Sequence, residues 1–127
     1  MRYALVLHYP EMSADDLGPD ALAEGMRAFA HYADALNAAG VLVSAEVLQP
    51  SALTTTVTAV DGDLRVQDGP FADTKEQLGG MFVIDVDDLD AAIAWAGRAP
   101  SVSWGAVEIR PSGTHYVDGA WTAFEYR

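Results

Sequence analysis

The sequence predicts an α+β domain, a small sheet with helices packed on one face. Segments of helical period alternate with short β-branched runs, and Pro, Gly or Asp-Gly punctuates the runs. Half of the 127 residues are apolar, enough to close one core without cross-links. We read residues 1–127 as a single domain, with 113–127 as a C-terminal extension.

Tyr3 to Tyr9 is apolar and rich in strand formers, and Pro10 stops it, so it reads as a mostly buried strand. A loop from Glu11 to Asp16 follows. From about Asp20 to Ala39 the residues Leu22, Met26, Phe29, Ala33 and Leu36 recur at helical spacing, which predicts a helix with that stripe inward and Gly40 past its end. Val41 to Gln49 reads as a strand closed by Pro50. Thr54 to Val60 alternates and is β-branched, and Asp61-Gly62 turns it into the return arm Leu64-Arg65-Val66 of a hairpin. Gly79 to Val86 is a further strand. Asp88 or Asp90 can cap the next helix, whose apolar face is Leu89, Ala92, Ile93 and Ala96; Ala106 to Arg110 is the last core strand. With the hairpin set aside, this order is the split β-α-β pattern of a ferredoxin-like βαββαβ fold with an extra hairpin. The tail from Thr114 to Arg127, with Tyr116, Trp121, Phe124 and Tyr126 around Asp118-Gly119, reads as another hairpin, either an added strand pair or a dimer arm.

Composition removes several function classes. The chain has no cysteine, so disulfides, thiolate zinc sites, iron–sulfur clusters and cysteine nucleophiles are excluded. Nineteen acidic against seven basic residues give a net charge of −12, which repels a phosphate backbone; no nucleic-acid partner is expected. No run approaches the roughly 18 apolar residues of a membrane span, and the stretch Met1 to Leu7 is short for a signal peptide, so no membrane partner and a cytoplasmic location are expected. There is no catalytic-triad order, P-loop, dinucleotide glycine fingerprint or histidine pair at metal spacing, and no cofactor is implied.

Residues Asp68-Gly69-Pro70-Phe71-Ala72-Asp73-Thr74-Lys75-Glu76-Gln77-Leu78-Gly79-Gly80 closely resemble the signature of the DGPF group within the YCII-related domain family. Ala39-Gly40-Val41-Leu42, the helix Asp88 to Ala96, and Val107-Glu108-Ile109-Arg110-Pro111 follow the family's order, so the resemblance spans residues 1 to about 112. It implies a ferredoxin-like fold assembled as a homodimer of the dimeric α/β-barrel kind, in a family whose members mostly lack an assigned activity. One branch of that group is thought to use a histidine and an aspartate as an acid–base pair. Phe29 and Ala39 fall where that pair would sit, so this dyad is not evident. The resemblance also allows a link to an extracytoplasmic-function sigma factor.

The candidate site residues follow from local chemistry. Asp68-Gly69-Pro70 is a tight turn by composition, and Asp73, Lys75 and Glu76 follow at once, either as a ligand-binding loop or as an ion-pair cluster that shapes it. Glu108 and Arg110 share one face of the last strand and Val107 and Ile109 the other; on the open side of a sheet the Arg can hold a carboxylate and the Glu accept a proton, or the two can pair as scaffold. His8 ends the first strand, beside the last one in a ferredoxin-like sheet, which brings it towards Glu108; the alternative is a simply packed side chain. His31 phases with Glu24 and Arg27 towards solvent, and His115 falls in the tail. Asp73, Glu108 and His8 are thus the candidates for proton transfer, and Asp68, Lys75, Glu76 and Arg110 for ligand binding. The leading expectation is a dimer that binds a small organic acid in its cleft and acts by proton transfer as a lyase, isomerase or dehalogenase. Its rivals are a non-catalytic regulatory module that docks on a partner such as a sigma factor, and a dimer whose loop only buttresses the fold.

Overall fold

The structure, a computed structural model, describes residues 1–124; Tyr126 of the expected tail hairpin lies outside them. Among the described residues eight strands and three α-helices succeed one another: β1 (Arg2–Pro10), α1 (Ala14–Leu17), α2 (Pro19–Ala38), β2 (Leu42–Val47), β3 (Thr55–Val60), β4 (Asp63–Asp68), β5 (Glu76–Asp85), α3 (Leu89–Ala96), β6 (Ala106–Pro111), β7 (Tyr116–Val117) and β8 (Ala120–Trp121). The sheets are antiparallel and the helices few, an α+β arrangement.

The main sheet has the order β2-β5-β1-β6. Period-two alternation divides it into two faces. Tyr3, Leu5 and Leu7 of β1 are buried, and β5 sets Ile84, Phe82 and Gly80 opposite them. On the other side β6 sets Ile109 and Val107 opposite Leu5 and Leu7. These side chains join Tyr32 and Leu36 of α2 and Ala92 and Ala96 of α3 in one core. Two rings of α2 hold Phe82 at its centre, Tyr32 edge-on at 5.1 Å and Phe29 stacked at 6.4 Å.

Two sequence expectations about helix faces are corrected. Leu22 and Met26 point away from the core, and the inward residues of α2 are Phe29, Tyr32, Ala33 and Leu36. The residues of this 20-residue helix that pack on the core come from its C-terminal half, so Leu22 and Met26 on its first turns lie away from it. In α3 the pair Leu89 and Ile93 is exposed; Ala92, Ala96 and the half-buried Trp95 face inward, because small residues let the helix approach the sheet closely. Asp88 caps α3, accepting from the Ala91 backbone N–H at 2.9 Å. The expected loop Glu11 to Asp16 contains the short α1, and β5 begins at Glu76 rather than Gly79.

Strands β3 and β4 form a separate two-stranded sheet whose turn, Asp61-Gly62, has positive φ at both residues, as the expected hairpin turn requires. The tail hairpin β7–β8 turns at Asp118-Gly119 and packs Tyr116 edge-on against Trp121.

Candidate functional site

The face of the main sheet away from the helices carries Ala4, Val6 and His8 on β1, Val83 and Met81 on β5, and Glu108 and Arg110 on β6. The ladder pairs Val6 with Glu108, His8 with Ala106 and Ala4 with Arg110. Glu108 is therefore the diagonal neighbour of His8, and its Oε1 lies 2.5 Å from His8 Nε2. Nε2 is shielded from solvent and makes no well-aligned hydrogen bond; the carboxylate is close but off the line of a ring N–H. Proximity rather than direction is what the pair offers.

Local backbone irregularity places His8 here. Leu7 pairs with Gly80 but His8 with Leu78, so Gly79 is an extra residue that makes a bulge beside the histidine. The next residue, Tyr9, donates its hydroxyl to the Gly79 carbonyl at 3.2 Å and packs edge-on against Trp104 at 4.8 Å. Burial first, and then the Glu11 carboxylate, push the Tyr9 phenol above its ordinary pKa and keep it neutral.

His8 lines a cleft of about 590 Å³. One wall is the connection from β2 to β3, with Leu48, Pro50 and Leu53; the other is the segment from Pro70 to Leu78, a loop that runs into the start of β5 and exposes Phe71. Gly69 turns the chain into that loop with φ 101, a conformation that glycine adopts without penalty. Internal bonds then brace it: Thr56 Oγ1 donates to the Gly69 carbonyl at 2.7 Å, Thr74 Oγ1 to the Glu76 carbonyl, and Gln77 Nε2 to the Thr74 carbonyl at 2.9 Å. The other wall is tied back by the Ser51 N–H, which donates to Glu11 at 2.8 Å. A smaller recess of about 340 Å³ continues past His8 between Thr74, Glu76, Ala106 and Glu108.

Of the residues singled out in sequence, His8, Glu76 and Glu108 come together around these cavities. Asp68 ends β4 opposite Thr55, and Asp73 and Lys75 are exposed on the loop; none of the three lines either cavity. Arg110 shares the face of Glu108 but lies opposite Ala4, outside both cavities. His31 is exposed, and His115 Nδ1 sits 3.4 Å from the Thr122 hydroxyl in the tail. Sequence reasoning missed the Leu48 to Thr56 wall, because Pro50 signals only that a strand ends. Among the described residues no three His, Asp or Glu side chains gather as a metal ion would need, and no helix is long and apolar enough to cross a membrane.

Fold and site together define a small antiparallel α+β domain with a cleft at the end of its main sheet, lined by His8 and joined by a recess that Glu108 lines. The chain belongs to the YCII-related domain family, whose model matches residues 1–112. It is similar to an uncharacterized protein of Rhizobium meliloti (strain 1021), 40% identical over 75 residues, a stretch that covers 58% of this chain and 60% of that protein's length.

Proposed function

We propose that this YCII-related protein binds a small organic molecule in the cleft beside the Pro70 to Leu78 segment and exchanges a proton with it through His8 and Glu108. The observation that carries the reading is the 2.5 Å contact of these two side chains where the cleft meets the sheet. With Glu108 beside Nε2, the other ring nitrogen, Nδ1, is the atom that takes a proton from a bound molecule or returns one. Asp73 is not needed for that step. Proton abstraction beside a carbonyl is the opening move of many isomerases, lyases and dehalogenases, and those are the reaction classes this pair suits.

The fold supports a finer reading. In the main sheet the spatial order, counted along the chain, is fourth, first, third, second, which favours a ferredoxin-like arrangement with β3–β4 as the added hairpin. A second copy of the chain covers the open face, where Met81 and Leu78 are exposed, and the arm where Val57 faces Val66 and Ala59 faces Leu64. An isolated two-stranded arm with exposed valines and leucine is marginal in water, which favours such a cover. Light scattering should give twice the 13.5 kDa of one chain, and a mass of one chain at micromolar concentration would remove the dimer.

Proton transfer is tested without knowing the product. Carbonyl compounds and organic acids are incubated with the protein in deuterated water, and NMR follows loss of their acidic C–H signals. Exchange that vanishes in His8→Ala and falls strongly in Glu108→Gln is expected. Exchange untouched by both substitutions would assign it to some other group.

A further inference from the structure

We infer that the molecule this cleft takes is uncharged and largely apolar, with one carbonyl or hydroxyl that reaches His8; the inference rests on the cleft-binding reading above. Organic acids are the natural expectation from Arg110, but the lining speaks against them. Leu48, Pro50, Leu53, Phe71 and Leu78 supply the walls, and among the described residues no lysine or arginine lines the cleft or its recess. Lys75 precedes Glu76 in the chain and Arg110 stands two residues beyond Glu108, yet both stay outside.

Three polar side chains of the walls are engaged. Thr56, Thr74 and Gln77 each give a donor to the loop backbone. Next to His8 the charged groups are Glu76 and Glu108, both acids, in a chain of net charge −12. A carboxylate entering here would lose water, meet two carboxylates and find no described lysine or arginine to pair with, which is unfavourable at every step. An ammonium group fares little better, since Glu76 and Glu108 are both exposed, where an ion pair is worth little. A neutral molecule gains apolar contact along the walls and needs one hydrogen bond at His8, in a volume suited to small ligands. Phe71, 86% exposed, supplies an aromatic surface for a flat ligand to lie against.

Three probes of one shape and different charge test this: benzamide, benzoate and benzylamine, titrated into the isotope-labelled full chain while backbone amide shifts are followed. Benzamide should move the amides of Ala72, Thr74 and Leu78 with an affinity at least tenfold above either charged probe. Its binding should weaken in His8→Ala and separately in Phe71→Ala, whose exposed side chain the fold does not need. Tighter binding of benzoate or benzylamine at the same amides would overturn the charge class and leave the cleft reading intact. Benzoate binding lost in Arg110→Gln would return the site to an acid held by that arginine. Amides that respond to none of the three would defeat the cleft reading itself, and this inference with it.

Discussion

Gly105 stands so close to the backbone of His8 that a methyl group on it would lie 2.2 Å from the His8 carbonyl oxygen and 2.8 Å from Tyr9 Cβ. The atom in the way is backbone, and it cannot swing aside as the end of a side chain does. Gly105→Ala should therefore push β6 from the end of β1, costing about 1–3 kcal/mol in urea denaturation, with the ring resonances of His8 displaced. A variant as stable as wild type, with unmoved His8 signals, would show that this approach does not position the histidine.

Tyr32 makes stability depend on alkaline pH. Burial, opposed by nearby Arg98, pushes its phenol up from 10.0 to about 12. Between those values the unfolded chain releases the proton and the native chain keeps it. The contribution is thus complete below pH 10 and is lost as the pH rises towards about 12. The hydroxyl also donates to the Trp95 carbonyl at 2.7 Å, which accepts from the Arg98 N–H as well. Tyr32→Phe should cost about 1 kcal/mol at neutral pH and flatten the alkaline decline, as seen by circular dichroism melts across that range.

The two halves of α2 should respond differently to truncation. Phe82, 1% exposed, sits under Phe29 and Tyr32, and Phe82→Ala should cost about 3–5 kcal/mol. Met26, 67% exposed on the first turns, should lose less than about 0.5 kcal/mol as alanine. Denaturant midpoints of the two variants compare them directly, and a large loss from Met26→Ala would mean that a second chain covers that end of the helix.

Removing the α3 cap is a local test of the second helix. Asp88→Ala leaves the Ala91 N–H without its acceptor and should cost about 1 kcal/mol, while Asp88→Asn should keep most of it. Urea titrations of both separate the cap from a simple charge effect.

Much of the fold was legible along the chain because its signals are local. Pro10, the Asp61-Gly62 turn, the Asp88 cap and the β-branched runs act through near neighbours, and they bound the elements they mark to within a few residues. Helix faces were less legible. Met26 and Leu22 repeat at helical spacing as faithfully as Leu36 does, yet periodicity does not say which turns pack on the core.

By itself the sequence determined the α+β class, the resemblance that the family match of residues 1–112 bears out, and the shared face of Glu108 and Arg110, since two-residue alternation holds in any strand. The sequence brought His8 towards Glu108, and only the tertiary structure decided that the two meet across a diagonal, that Glu76 joins them, and that Arg110 stays outside the cleft. Those outcomes depend on pairing register and on one extra residue at Gly79, and register is set between residues distant in the chain, His8 with Leu78 and with Ala106, beyond the reach of any local pattern.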